Sequence, residues 1–307
     1  MNAFASSPPF ARGGVDTHAH VFEQGLPLTC DRRYAPTYDA TLDDYLPLLN
    51  EHGITHAVLV QPSFLGTDNR YLLQALSANS QRLRGVAVVA PEITANELAD
   101  LHRRGVTGIR LNLMEQALPD LRAQPWTSLL DNVARLDWHV ELHRNAADLA
   151  PMIDRLLERG LRVAVDHFGR PDPALGTQDS GFKALLGFGK TGRVWVKVSG
   201  AYRCAAPGSP FVRDATTQLI EQFGAERLMW GSDWPHTQYE TVTSYGDALS
   251  TLLNVGLDSV ALHSVGLDSA ALGAILRTTA LSFYGFDVEP VAHNASPTTA
   301  ALQRATY

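Results

Sequence analysis

Apolar runs that predict strands alternate with amphipathic runs that predict helices along almost the whole chain, and this alternation constrains the fold more than any other feature. The strand-like runs are rich in β-branched residues, as parallel strands buried on both faces must be. They lie at residues 14–20, 55–61, 84–90, 107–113, 138–143, 161–167, 193–199 and 227–233. The helix-like runs lie at residues 42–52, 68–80, 94–104, 125–136, 147–159, 178–188 and 213–223.

Eight such units in succession, without a break in composition, predict one α/β domain, a (β/α)8 TIM barrel over residues 14–286. A doubly wound open sheet is the alternative. No Gly-x-Gly-x-x-Gly sequence follows the first strand, which disfavours a dinucleotide-binding fold of that kind. Three residues with capping side chains are predicted to precede helices: Thr41, Thr94 and Asp214. Four glycines are predicted to end helices: Gly53, Gly105, Gly160 and Gly224.

The segments outside the predicted barrel have a different composition. Residues 1–13 are rich in Ser, Pro, Ala and Gly, and residues 287–307 resemble a solvated tail, so both are predicted to be flexible. Between residues 255 and 272 the sequence Val-Gly-Leu-Asp-Ser occurs twice. We interpret this repeat as a local duplication to which no function is attached.

Composition disfavours several classes of protein. The chain of 307 residues is 45% hydrophobic, which suffices for a large core, and its formal charge of −7 would repel nucleic acid and anionic membranes. Its two cysteines, Cys30 and Cys204, are too few for a disulfide framework. No signal peptide or membrane-spanning apolar stretch is recognisable, so a cytoplasmic protein is expected.

Polar residues concentrate where the predicted strands end. His18 and His20 lie two residues apart, so they project from the same face of the first strand. In a barrel the carboxyl ends of the strands carry the catalytic groups. The polar residues at these ends are His18, His20, Gln61, Ser63, Arg110, Asn112, His143, His167, Ser199 and Asp233. Imidazoles together with a carboxylate suit metal binding or acid–base catalysis.

This pattern resembles the amidohydrolase superfamily, which has His-x-His on strand 1, histidines on strands 5 and 6, and an Asp on strand 8. More narrowly, the chain is similar to the 2-pyrone-4,6-dicarboxylate lactonase branch. The stretches that carry the resemblance lie at residues 16–22, 33–36, 60–69, 108–112, 166–172 and 230–236. The resemblance covers residues 14–286 and implies a hydrolase acting on a small lactone that bears carboxylates.

The resemblance also implies roles for individual residues. Asp233 corresponds to the general base that activates water, and three imidazoles correspond to the groups that polarise the lactone carbonyl: His18, His20 and His167. The expected substrate-binding residues are Tyr34, Ser63, Arg110, Asn112, His143, Arg170 and Arg203. Arginines suit bidentate recognition of carboxylates, although each could instead pair with a neighbouring carboxylate such as Asp172.

His143 departs from the lactonase pattern, because that branch carries tyrosine near this position and works without a metal. His18, His20, His143 and Asp233 together form a ligand set that suits one zinc ion. Strand 4 offers Arg110 and no bridging Lys or Glu, which disfavours a second metal. Two expectations therefore stay open at this point: no cofactor, or one divalent metal, Zn²⁺ if a metal is bound.

Three other functions compete with lactone hydrolysis. A lactone isomerase would use the same substrate-binding groups. A metal-dependent decarboxylase would share the His-x-His motif and Asp233. A non-catalytic barrel would need no catalytic base. The intact His167 and Asp233 speak against the last of these. The expected partner is a small dicarboxylate lactone, with no nucleic acid or membrane, and the expected assembly is a monomer or small homo-oligomer.

Overall fold

Eight parallel strands follow one another in a single sheet in the order of the sequence. The computed structural model describes residues 13–206, 208–257 and 268–286. The strands are β1 (Gly14–Ala19), β2 (Ile54–Val60), β3 (Leu83–Ala87), β4 (Val106–Asn112), β5 (His139–His143), β6 (Arg162–Val165), β7 (Val194–Val198) and β8 (Leu228–Trp230). The predicted (β/α)8 order is confirmed, because apolar runs of three to seven residues pair in parallel with the next run along the chain.

Helices connect the strands and pack on the outside of the sheet. They are α1 (Leu42–Glu51), α2 (Arg70–Ala78), α3 (Ala95–Arg103), α4 (Trp126–Arg135), α5 (Leu149–Leu157), α6 (Ser180–Leu186), α7 (Phe211–Phe223), α8 (Tyr245–Leu257), α9 (Ser269–Gly273) and α10 (Thr279–Tyr284). The predicted caps Thr41 and Thr94 both form capping boxes. The cap predicted at Asp214 is wrong, because α7 already begins at Phe211 after Pro210, and Asp214 lies in its first turn.

The barrel closes between β1 and the segment that follows β8. Asp233 N donates to the His18 carbonyl oxygen over 2.7 Å, and His20 N donates to the Trp234 carbonyl oxygen over 2.8 Å. Below them, the buried Asp16 carboxylate accepts from both the backbone N–H (2.8 Å) and the hydroxyl (2.6 Å) of Ser232. The seam therefore joins the strand that carries His-x-His to the loop that carries Asp233.

The amino ends of the strands are closed by α10. Arg162 and Arg84, at the beginnings of β6 and β3, donate to the carbonyl oxygens of Phe283 and Gly285. Between the strands and the outer helices lies a continuous apolar core. Because these two layers cover the bottom and the outside, the cavity that remains lies at the carboxyl ends of the strands.

Some of the segments singled out in the sequence fall outside the residues that the structure describes. Most of the two segments predicted to be flexible, and most of the 255–272 duplication, lie outside these residues. Within the described part of the chain, no helix has the length and apolar character needed to cross a membrane.

Candidate active site

The Asp233 carboxylate lies at the centre of the strand-end cluster, and its two oxygens have different surroundings. Oδ2 accepts hydrogen bonds from the Tyr202 hydroxyl and from Arg203 Nε, each over 2.6 Å. Oδ1 faces the Nε2 atoms of three imidazoles, at 3.8 Å from His18, 3.7 Å from His20 and 3.9 Å from His167. Asp233 is thus fixed through one oxygen and presents the other to the imidazoles.

The charge of Asp233 is stabilised by this environment. Burial alone would raise the pKa of this carboxyl, but the Arg203 guanidinium holds the pKa well below its usual range. The Tyr202 hydroxyl also donates to Oδ2, and a short hydrogen bond to a charged oxygen stabilises the ionised carboxylate. Asp233 is therefore ionised at neutral pH and able to accept a proton at Oδ1.

The imidazoles around Asp233 are neutral at neutral pH. Burial, together with the charge of Arg110, lowers the pKa of His20 to about 4. Burial lowers the pKa of His167 to about 3, and it also takes the pKa of His18 well below its usual range. Each ring therefore carries one proton, and the hydrogen bond at Nδ1 decides what Nε2 can do.

His20 and His18 differ in this respect. His20 Nδ1 lies 2.7 Å from the Val60 carbonyl oxygen, which can only accept, so Nδ1 carries the proton and Nε2 presents a lone pair. His18 Nδ1 lies 3.2 Å from an acceptor, Asp166 Oδ1, and 3.1 Å from a donor, Lys197 Nζ. Either tautomer of His18 consequently has a partner, whereas only one tautomer of His20 does.

The backbone at two of these residues lies in the left-handed region, with φ of 62° at Asp233 and 50° at His167. Such conformations cost non-glycine residues on the order of 1–3 kcal/mol. At Asp233 the backbone is held by the seam hydrogen bond to the His18 carbonyl oxygen. Gly200 completes the arrangement, because a Cβ atom there would lie 2.7 Å from His167 Nδ1 and 3.1 Å from Asp233 Oδ2.

A buried cluster of charges lies beneath His18, and we call it the interior ion cluster: Arg110, Glu141, Asp166 and Lys197. Arg110 donates from Nη2 to Asp166 Oδ2 over 2.8 Å, and its Nε lies 3.2 Å from Glu141 Oε1. Lys197 donates to Glu141 and lies 3.5 Å from Asp166 Oδ1. Burial and the nearby Asp166 charge raise the pKa of Glu141 to about 7, although both cations oppose the shift. The cluster fixes the orientation of His18 through Asp166 and Lys197.

Glu141 and Lys197 were not predicted as site residues, although the sequence carries a signal for both. Glu141 lies between Val140 and Leu142 in β5, and Lys197 lies between Val196 and Val198 in β7, so each charge interrupts an apolar run of a buried strand. Glu141 alternates with His143, and Lys197 alternates with Ser199, so each shares a strand face with a polar residue at the strand end. A charge on that face of a buried strand predicts a polar barrel interior.

A cavity of about 220 Å³ opens above Asp233. Its lining includes His20, His167 and Asp233 together with every residue predicted to bind substrate, namely Tyr34, Ser63, Arg110, Asn112, His143, Arg170 and Arg203. His18 lies below the lining and is fully buried. Folding therefore brings the predicted site residues together around one space. Arg33 and Glu115 also line this cavity and were not predicted as site residues.

The predicted arginines have different partners. Arg110 is held by two buried carboxylates, and Arg203 donates to Asp233, so both already have negative partners. Arg170 donates from Nη1 to the carbonyl oxygen of Arg203 over 2.9 Å, and Asp172 does not pair with it. Arg110 and Arg203 therefore pair with carboxylates, as the alternative expectation had it. Arg170 lines the cavity, and no carboxylate pairs with it among the described residues.

The donor set next to Asp233 fits a metal ion. Donor atoms of His18, His20 and Asp233 all lie within 4.8 Å of one another, and His18 Nε2 is buried without a hydrogen-bond partner. His20 Nε2 carries a lone pair, as a metal ligand must. His143 belongs to neither of the ligand groups found among the described residues; its ring centre lies 5.1 Å from that of His167. The predicted ligand set that includes His143 stays a prediction.

Comparisons with known proteins point in one direction. Residues 15–286 match the family described as Amidohydrolase. A 2-pyrone-4,6-dicarboxylate hydrolase of Comamonas testosteroni is 33% identical over 250 residues, which cover 75% of this chain and 80% of that protein. A 4-sulfomuconolactone hydrolase of Rhizobium radiobacter is 31% identical over 259 residues, covering 82% of this chain and 86% of that protein.

A solved structure agrees with these relatives. The structure of a candidate 2-pyrone-4,6-dicarboxylic acid hydrolase from Pseudomonas putida has a TM-score of 0.81 and 47% sequence identity. The match covers 90% of this chain and 99% of that one. These similarities confirm the resemblance drawn from the strand-end motifs and the predicted barrel.

Proposed function

The chain belongs to the amidohydrolase family, and we propose that it hydrolyses the ring ester of a small lactone bearing carboxylate or other acidic groups. One observation carries the proposal: an ionised Asp233 presents Oδ1 to three neutral imidazoles at the base of a cavity lined by arginines. The names of the two relatives support the substrate class, since one specifies a dicarboxylate and the other a sulfo group.

Asp233 is the proposed general base. Its Oδ1 takes a proton from water as the water oxygen bonds to the lactone carbonyl carbon, and Arg203 and Tyr202 keep Oδ2 in place. When the ring carbon–oxygen bond breaks, the proton passes from Asp233 to the leaving oxygen. The product is the ring-opened acid, and Asp233 returns to its ionised form.

The imidazoles divide the remaining work. A neutral His20 has only a lone pair at Nε2, so it orients the water by accepting a hydrogen bond and does not polarise the carbonyl. This assignment differs from the role that the resemblance implied for His20. His18 has a donor tautomer available, in which Lys197 donates to Nδ1 and Nε2–H faces Asp233 Oδ1 beneath the cavity. His167, held at Nδ1 by Ser199 over 2.9 Å, borders the same space.

The ligand group formed by His18, His20 and Asp233 would hold a divalent cation, with zinc favoured by two nitrogens and one oxygen. A bound zinc ion would polarise the carbonyl and lower the pKa of water. In that case His18 donates from Nδ1 to Asp166, which leaves Nε2 free as a ligand. Full turnover in the presence of a chelator would assign catalysis to the protein groups alone.

Zinc titration is expected to locate this site without reference to activity. Chelator-treated protein should bind about one zinc ion, and His20→Ala should lose that binding because a lone-pair donor is removed. His143→Tyr should keep it, since His143 is absent from the ligand group. Isothermal calorimetry of the three proteins measures the difference. Loss of binding in His143→Tyr would instead support the ligand set predicted from the sequence.

The proposed reaction is tested by incubating the protein with 2-pyrone-4,6-dicarboxylate and related acidic lactones in water enriched in oxygen-18. Hydrolysis is expected to place one labelled oxygen in the new carboxylate, because the oxygen comes from water. Turnover without incorporation would indicate an isomerase, and release of carbon dioxide would indicate a decarboxylase. Either of these results, or the absence of turnover on every lactone, would overturn the proposal.

A further inference from the structure

Four arginines line the cavity above Asp233, but they are not equally available to a ligand: Arg33, Arg110, Arg170 and Arg203. As described above, buried carboxylates neutralise Arg110 and Arg203. The other two guanidinium groups have no carboxylate within hydrogen-bonding distance among the residues that the structure describes. The cavity therefore offers an anionic ligand two cations, Arg33 and Arg170, and of these Arg33 was not predicted as a site residue.

Arg33 is held loosely at the mouth of the cavity. Its Nη2 lies 3.4 Å from Asn112 Oδ1, and its Nη1 lies 3.9 Å from Glu115 Oε1, which is beyond hydrogen-bonding distance. The side chain is 31% exposed, whereas that of Glu115 is 74% exposed. Arg33 thus keeps most of its hydrogen-bonding capacity while it borders the ligand space.

Glu115 has the one carboxylate that lies within 4 Å of Arg33 among the described residues. Its backbone has a φ of 60°, in the left-handed region. The turn around it is fixed because Arg144 donates to the carbonyl oxygens of Leu113 and Gln116. A carboxylate held near Arg33 at this distance lowers the cost of leaving that cation without a ligand, yet it forms no close pair that a ligand would have to break.

We propose that Arg33 binds an acidic group of the substrate that lies away from the ester under attack, and that Glu115 occupies its vicinity only while the cavity is empty. This assignment rests on the proposed function for its substrate class, an acidic lactone. Arg33 is then a specificity-determining residue that selects lactones with a second acidic group. Glu115 competes with that group, so the two residues have opposite effects on affinity.

Binding of unreactive ring acids tests the assignment separately from hydrolysis. The probes are pyridine-2,4-dicarboxylate and the two monoacids, pyridine-2-carboxylate and pyridine-4-carboxylate, measured by calorimetry. Arg33→Met should weaken the diacid roughly tenfold, since a charge-assisted bond is lost. It should weaken only one of the monoacids. Glu115→Gln should tighten the diacid about twofold to threefold, because a competing charge is removed.

Two further variants complete the experiment. Arg33→Lys should recover part of the affinity, as it keeps the charge but not the planar donor pair. Arg32→Met is the matched control, because Arg32 donates to the Thr29 carbonyl oxygen and is absent from the cavity lining. It should bind all three probes as the unmodified protein does.

Several outcomes would overturn the assignment: no binding of the diacid to the unmodified protein, unchanged binding in Arg33→Met, or equal weakening of all three probes. A weaker diacid complex in Glu115→Gln would also contradict it. The expected binding pattern without turnover of any lactone would refute only the proposed hydrolysis. Turnover without the pattern would refute only the role of Arg33.

Discussion

Replacing Asp233 by asparagine is expected to lower kcat for lactone hydrolysis by ~10²–10⁴, the usual contribution of a positioned general base. Asparagine keeps an oxygen that can accept from Tyr202 and Arg203 at the position of Oδ2. It places an amide in place of Oδ1 and cannot take the proton from water. Steady-state kinetics on whichever acidic lactone the protein hydrolyses would measure the effect.

The control for this variant separates catalysis from folding. Asp172→Asn removes an exposed carboxylate outside the cavity lining and should leave kcat unchanged. Arg203 loses its negative partner in Asp233→Asn, so the thermal unfolding midpoint of both variants must be compared with that of the original protein. A folded Asp233→Asn protein with nearly full turnover would show that another group activates water.

The second large effect is expected for stability. Lys197→Met should lower the free energy of unfolding by about 3–5 kcal/mol, because removing one member of a buried ion cluster leaves an uncompensated charge. Arg110 would then be the only cation left in the interior ion cluster for two buried carboxylates, Glu141 and Asp166. Denaturant unfolding of the variant and the original protein measures the difference. Lys183→Met, on an exposed face of α6, should change the same free energy by no more than about 0.5 kcal/mol.

A double variant distinguishes lost charge from lost volume. Lys197→Met combined with Glu141→Leu removes both members of the pair and replaces them with apolar side chains of similar size. It should be more stable than Lys197→Met alone, since Arg110 and Asp166 then balance each other and the interior ion cluster has no excess carboxylate. If the double variant is no more stable than Lys197→Met, apolar packing cannot replace these charges, and the excess carboxylate charge is not the cause of the loss.

The strand pattern was predictable because a parallel barrel needs continuous apolar strands at regular intervals. β2, for example, was predicted at 55–61 and lies at Ile54–Val60. The start of α7 was missed because Asp214 has the side chain of a cap, whereas Pro210 precedes the helix without any side-chain hydrogen bond. Local propensity therefore located the elements but not every helix boundary.

The candidate site was predictable as a set of residues and not as a set of partners. The rule that strand ends carry catalytic groups selected residues that line one cavity, Arg110 and His143 among them. It could not show that Arg203 pairs with Asp233 or that Arg33 reaches the cavity, because both arginines lie in loops. Loop geometry depends on tertiary contacts that periodicity does not record.

The seam between β1 and the segment after β8 has a consequence for the order of events during synthesis. Asp16 and Ser232, which join there, are 216 residues apart in the sequence, and His18 and Asp233 lie directly beside them. A chain emerging from the ribosome holds His18 and His20 from the start but lacks the Asp233 carboxylate until the last strand has been made. Incomplete chains consequently cannot assemble the reactive cluster, so activity marks a finished and closed barrel.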